Sequence, residues 1–330
     1  MLTSLSCRCL IQTVKSSSRC CSFLDPCHYQ QANCTMSDRQ QFNGRFLLQR
    51  SHSYDLLNYN GHKRLGHNYS LEPDYNETKK RFEEEKLKLI YCMRHSEYTP
   101  LGRQLKDKLV SYPPNSLKFT VLSYNVLAQH LLEEHSYLYK NTDPEALEWE
   151  RRSRRILREV KDSKADVLCL QEVQSDHFDS FFVPSLKRLG FTGIYKKRTG
   201  DKTDGCAIFY RTSKFNLMDT ISVEYCKPDV KLLDRDNIGL VALLTPKVKS
   251  PGDAPFICVA TTHLLYNPGR HDIKLAQLQL LFAELDHIAF KSSSESCHKY
   301  HPVILTGDFN LTPDTSIYQF ITDGSLQYKG

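Results

Sequence analysis

The chain has 330 residues, 40% of them apolar and 11% aromatic, enough to bury one large domain with an extension. No apolar run approaches the ~18 residues of a membrane-spanning helix, so no membrane partner is expected. Residues 1–117 carry 17 Lys and Arg against 11 Asp and Glu, and the remainder is balanced at 27 against 27, which excludes a broadly basic surface on the main domain.

Residues 1–24, MLTSLSCRCLIQTVKSSSRCCSFL, hold Arg and Ser but no acid, the composition of a mitochondrial presequence. Arg8 breaks the apolar run and argues against a secretory signal. The cytoplasm is the expected location, with the mitochondrion as the alternative raised by this start. Residues 25–75 are polar, lack sustained periodicity and read as disordered. ETKKRFEEEKLKLIYC, residues 77–92, reads as a charged helix with a solvated face, and Pro113-Pro114 marks a boundary. The expected division is an extension over 1–117 and a folded domain over 118–330.

From Phe119 the texture changes. FTVLSYNVL reads as a strand, followed by a helix over PEALEWERRSRRILREVKD with Pro144 near its start. ADVLCLQEV is an apolar strand, and DHFDSFFVPSLKRLGF a helix interrupted by Pro184. CAIFYR, NIGLVALLTP and FICVATTHLL then read as strands, and HDIKLAQLQLLFAELDHIAF as an amphipathic helix. PVILTGDF is a last strand, with a short helix after Thr312. The sheet-forming runs are nearly continuous in hydrophobicity, so both of their faces should be covered. The expected fold is α/β, a sheet or pair of sheets sandwiched by helices.

Of twelve cysteines, six lie within the first 34 residues and the rest are scattered. Cys169, Cys206 and Cys258 sit inside apolar runs, where a reduced thiol behaves as a small hydrophobe. There is no C-x-x-C pair, so a reducing interior is expected and a zinc site is not.

Four apolar runs end in the same kind of residue: Asn125 in VLSYN, Glu172 in VLCLQE, His263 in CVATTH, and Asp308 with Asn310 in VILTGDFN. Side chains at i and i+2 of a strand point the same way, so Asp308 and Asn310 would share a face. Gly307 beside them permits a tight turn or a close approach. Ligand and catalytic groups gather beyond strand ends in open sheets. Carboxylates with amides, and neither a thiolate nor several histidines, suit a hard cation such as Mg²⁺. Phosphate esters are the natural substrate of such a site, because the metal neutralises developing charge and acidifies a water. An imidazole would hydrogen-bond a phosphoryl oxygen, and a carboxylate would orient and deprotonate the water. No G-x-x-x-x-G-K-[ST] loop, G-x-G-x-x-G fingerprint or G-x-S-x-G elbow is present, which disfavours P-loop, dinucleotide and serine chemistry.

LSYNVLAQHLL, ADVLCLQEVQSDHF, KTDGCAIFY, LLDRDNIGLVALL, THLLYNPGRHDIKLAQ and ILTGDFN occur in order over residues 118–330. Together they resemble the motifs of the endonuclease/exonuclease/phosphatase superfamily, and within it the Angel branch, relatives of the carbon-catabolite-repressor type deadenylases. The resemblance implies a four-layer sandwich of two sheets flanked by helices. It implies Glu172 as Mg²⁺ ligand, with Asn125 beside the metal and the scissile phosphate. His263 would contact a phosphoryl oxygen, Asp308 would serve as base or proton shuttle, and Asn310 would orient it. Pro268 and Asn237 match positions bordering the substrate base, and Asp204-Gly205 a turn supporting the site. The family's closing S-D-H segment has no match beyond Asn310. Ser175-Asp176-His177 reads as a decoy, so the C-terminal part of the domain is expected to be missing.

The resemblance implies a Mg²⁺-dependent RNA phosphoesterase, in first place a 3′-end exoribonuclease of the deadenylase kind acting on mRNA. The alternatives are an RNA 2′,3′-cyclic phosphatase, or a catalytically incomplete RNA-binding or regulatory protein.

Overall fold

The computed structural model describes residues 29–36, 47–52, 95–98, 117–247, 256–294 and 297–326, with side chains described from 117 onward except at 294 and 297. The expected presequence, the 77–92 helix and the Pro113-Pro114 boundary lie outside the described residues. Strands β1 (Tyr29–Met36) and β2 (Leu47–His52) are placed within the stretch 25–75 expected to lack structure, and β3 (His95–Tyr98) lies beyond it in the extension.

β4 (Leu117–Asn125) and β5 (Val167–Gln174) run parallel, and β5 then pairs antiparallel with β7 (Asp204–Arg211), which pairs with β6 (Phe191–Lys197). This sheet has the order β3-β2-β1-β4-β5-β7-β6. A second sheet has the order β13-β10-β9-β8, from β8 (Phe215–Glu224), β9 (Ile238–Pro246), β10 (Ile257–His263) and β13 (Val303–Asp308). In it β10 and β13 are parallel and the other pairs antiparallel. A separate hairpin joins β11 (Phe290–Ser294) and β12 (Cys297–Tyr300).

Period-two alternation decides which side chain enters which layer. Phe119 and Val121 of β4, with Val167, Cys169 and Ile208, face Leu240, Ala242, Val259 and Ile304 across the inter-sheet core. The intervening Leu122, Tyr124, Leu168 and Leu170 turn outward onto Ile156, Val160, Phe182 and Leu186 of the helices. On the far side Val241, Cys258, Ala260 and Leu305 receive Leu278, Leu281 and Leu285 of the long helix. The result is helix, sheet, sheet, helix: the expected four-layer sandwich.

Helices α1 (Gln129–Glu134), α2 (Pro144–Leu147), α3 (Trp149–Ser163), α4 (Ser175–His177), α5 (Val183–Arg188), α6 (His271–Ala289) and α7 (Ser316–Asp323) complete the described elements. The single helix expected over 144–162 is two, because Glu148 adopts an extended ψ of 134° between α2 and α3. Pro184 does not interrupt its helix. A π turn over Phe178–Phe182, with Val183 N–H donating to Phe178 O, joins α4 to α5 and sets Pro184 in the first turn of α5.

Candidate active site

Each sheet contributes one parallel pair, and the two pairs end at the same place. Asn125 stands opposite Gln171 at the end of β4–β5, and His263 opposite Asp308 at the end of β10–β13. Asn125 joins the sheets: its Nδ2 donates to Glu172 Oε1 at 2.6 Å and to Asp308 Oδ2 at 3.0 Å. His263 Nε2 lies 3.9 Å from the same Asp308 oxygen. The structure thus brings Asn125, Glu172, His263 and Asp308 together from four strands.

Local backbone features aim them. The β5–β7 register slips between Leu170 and Val173, a bulge that places Glu172 at φ 55°. Gln171 before it points into the sandwich, donating to Thr261 Oγ1 at 2.8 Å and bonding Ser123. Glu172 Oε2 accepts from Ala128 N–H at 3.3 Å, and Leu127 N–H donates to Asn125 Oδ1 at 2.9 Å. The non-glycine residues with positive φ among those described are Leu127, Lys164, Glu172 and Asn310. Lys164 caps α3, and the other three surround the site. Left-handed backbone at such residues costs about 1–3 kcal/mol each, and it persists where the surroundings enforce it.

The i, i+2 expectation for Asp308 and Asn310 is not met. β13 ends at Asp308, and Asn310 follows in a left-handed turn with φ 49°. Its side-chain Nδ2 donates to Leu264 O at 3.0 Å, while its backbone N–H donates to Asp308 Oδ1 at 3.1 Å. Gly307 serves the close approach: a Cβ there would meet Thr262 O of β10 at 2.3 Å.

Asn237 is 3% exposed and engaged at both ends, donating to His263 O at 3.1 Å and accepting from Gln277 Nε2 at 3.2 Å. Pro268 stands on the exposed loop that follows β10. Asp204-Gly205 opens strand β7, where a turn was expected, and Gly205 packs so tightly that a Cβ would meet Lys196 O at 2.1 Å. Asp204 is buried, pairs with Arg198 Nη1 at 3.3 Å through one oxygen, and has no partner for the other among the described residues. His177, of the decoy triplet, lies flat on Trp149 with ring centroids 3.8 Å apart.

Sequence reasoning missed Gln171 and Gln277 as buried polar supports, and took Asp204 for a turn residue supporting the site. The available signal was a polar side chain at an inward position of an apolar pattern.

Burial pushes the Glu172 carboxyl above its ordinary value, against the pull of His263 and the Asn125 hydrogen bond, and Asp204 and Asp308 push the same way. Such a crowd of buried carboxylate charge calls for a cation. Glu172, His263 and Asp308 each offer a ligand atom, all within 4.8 Å of one another. This donor set fits a divalent metal, with carboxylate oxygens offered by Glu172 and Asp308 and His263 within reach. Asn125, expected as a ligand, spends Nδ2 bridging the carboxylates and Oδ1 on Leu127.

Residues 122–328 match the model of the Endonuclease/Exonuclease/phosphatase family. The chain belongs to that family. Its Angel-type character follows from the curated relatives: bovine Protein angel homolog 2 is 48% identical over 240 residues, 72% of this chain and 43% of that protein. Rat Protein angel homolog 1 is 48% identical over 217 residues, 64% of this chain and 32% of that protein. The chain therefore spans less than half the length of these relatives. A crystal structure of ANGEL2, described as a 2′,3′-cyclic phosphatase in complex with adenosine-2′,3′-vanadate, is 50% identical with a TM-score of 0.60. That likeness covers 64% of this chain and 59% of the ANGEL2 chain. The endonuclease/exonuclease/phosphatase sandwich, a phosphoester-hydrolase scaffold, is thus the one observed. No helix among the described residues is long and apolar enough to cross a membrane.

Proposed function

We propose that this chain carries the strand-end site of an RNA 2′,3′-cyclic phosphatase. The observation that carries this reading is the 50% identity, over 64% of this chain, to ANGEL2, described as a 2′,3′-cyclic phosphatase. It favours the cyclic-phosphate alternative over the 3′-end deadenylase. A 2′,3′-cyclic phosphate requires a vicinal ribose diol, so the substrate class is an RNA end or a ribonucleotide.

Glu172 and Asp308 would hold a divalent cation, Mg²⁺ being the choice for a hard, oxygen-rich set. When bound, the cation supplies charge neutralisation at the phosphoryl oxygens and a more acidic water. Asp308, steadied by Asn310 N–H, orients that water and takes its proton as the oxygen attacks phosphorus. His263 donates an N–H to a phosphoryl oxygen, while Asn125 Nδ2 holds the Glu172 and Asp308 carboxylates in place. The ring P–O bond opens and the leaving ribose oxygen takes up a proton, balancing the one Asp308 removed; a second water, deprotonated in the same way, attacks phosphorus, the remaining P–O bond to the ribose breaks, and that oxygen is protonated as phosphate leaves. Pro268, on its exposed loop, borders the terminal nucleoside, and Asn237 holds the carbonyl of His263 in place.

The test offers two RNAs with Mg²⁺, one ending in a cyclic phosphate and one in an adenylate tail with a free 3′ hydroxyl. The expected product is a hydroxyl end on the first and an unshortened tail on the second. Tail shortening with the cyclic end untouched would restore the deadenylase reading. Asp308→Asn is expected to lower turnover about 10²–10⁴-fold while leaving RNA affinity near wild type.

A further inference from the structure

Two cations lie buried behind the site on helices of opposite outer layers, and neither belongs to the cluster just described. Arg152 of α3 is 8% exposed and Lys274 of α6 is 0% exposed. Burying a charge is costly unless its hydrogen bonds are made, so what these groups bond to is informative.

Arg152 spends its guanidinium on the turn after β4. Nη2 donates to Val126 O at 2.8 Å and also to Leu127 O, and Nη1 donates to Gln129 Oε1 at 2.7 Å. Leu127 is the bulky residue at φ 55°, and its neighbour Ala128 gives its N–H to Glu172 Oε2. Lys274 treats the turn after β13 in the same way: Nζ donates to Asn310 O at 2.7 Å, the residue at φ 49° whose N–H holds Asp308. Each cation therefore grips the carbonyl side of a left-handed turn, and the amide side of that turn grips a carboxylate of the site.

We propose that Arg152 and Lys274 are positioning residues that hold the two strained turns, and through them fix Glu172 and Asp308 for a divalent cation. The second half of this statement rests on the metal-dependent reading given above. A planar fork suits two successive carbonyls and an amide, and a single ammonium suits one carbonyl. Arg152→Lys therefore keeps only part of its turn, while Lys274→Arg overfills a site with no room around it.

The test uses the full chain with Arg152→Met and Lys274→Met, which keep the apolar stems against the core. Amide hydrogen exchange, divalent binding followed with Mn²⁺ alone, and the thermal midpoint are measured on each. Arg152→Met is expected to speed exchange at Leu127–His130 by about tenfold or more with Phe309–Leu311 unchanged, and Lys274→Met to do the reverse. Each is expected to weaken Mn²⁺ binding about 10- to 100-fold, as loss of a ligand's supporting partner does. The exposed control Arg154→Met should alter neither.

Unchanged exchange at both turns would overturn the proposal, as would exchange that rises evenly across the sandwich, the signature of a merely structural role. Should a methionine variant fail to fold, Arg152→Lys decides: it must loosen Leu127–His130 selectively. Absence of Mn²⁺ binding in the unaltered chain would sink the metal reading separately, and the exchange measurement would still decide the clamps. Glu172→Gln, which must abolish Mn²⁺ binding with both turns still protected, distinguishes the two failures.

Discussion

Glu172 combines left-handed backbone, burial and two neighbouring carboxylates, and burial is the largest reason its carboxyl pKa is raised. A carboxyl with a raised folded-state pKa stabilises the fold below the ordinary glutamate range, and that contribution is lost as pH rises through the raised value. The metal-free protein therefore loses stability as pH rises from the ordinary glutamate range through the raised value. Glu172→Gln, which removes the charge and keeps one acceptor oxygen for Asn125 or Ala128, should raise the metal-free thermal midpoint by about 2–4 °C. Added Mg²⁺ should stabilise the unaltered chain and not the variant; calorimetry with and without chelator reads both. His177 shifts the other way, because burial against Trp149 lowers its pKa below the ordinary 6.5. Its contribution is present above 6.5 and is lost as pH falls through the lowered value. Trp149 is the sole tryptophan of the chain, so its fluorescence reports this corner. Denaturation midpoints followed at Trp149 from pH 7 to pH 5 should fall more steeply for the unaltered protein than for His177→Phe, which keeps the stack without the proton. Among these residues, Asn125, Glu172, His263 and Asp308 were legible in the sequence as polar stops on apolar runs. Asn310's turn was not, because strand alternation says nothing about the residue after the last ladder bond.

At the scale of elements, the parallel pair β10–β13 sets how near His263 and Asp308 come, and Gly307 sets how near the two strands come. With φ 150° and Thr262 O 2.3 Å from a would-be Cβ, Gly307→Ala forces backbone apart where no flexible side chain can yield. The expected cost is about 2–3 kcal/mol or more, with lost site geometry, read as a lower denaturation midpoint and weaker Mn²⁺ binding. The strands legible in the sequence are those buried on both faces, such as β5, β7, β9 and β10, whose apolar runs need no context. β6 and β8 escaped notice because each lies at a sheet edge and buries little of its length. An edge strand is specified by its neighbour's ladder as much as by its own residues. The break at Glu148 and the π turn before Pro184 were hidden for a related reason. Packing on the sheet selected them over the regular helix that spacing suggests.

Across the whole molecule, four packed layers seal Cys169, Cys206 and Cys258 away from solvent. Burial pushes the thiols of Cys169 and Cys258 up to about 12, and that of Cys206 well above its ordinary value. Under native conditions at pH 8, an alkylating reagent should leave these three unmodified and react with half-buried Cys226, with all four labelled after unfolding; peptide mass spectrometry reads the result. The amino-acid sequence by itself determined that apolar strands would be covered by helices, because hydrophobic period and strand-end polarity are properties of neighbouring residues along the chain; the four layers were implied only by the family resemblance. It also determined which residue types could meet a phosphate and a metal. Only the tertiary structure decided that Asn125 reaches Asp308 across 183 positions of sequence, and which cations stand behind the turns that hold the carboxylates. Those distances come from two sheets closing face to face, and no local pattern encodes where one sheet's end falls against the other's.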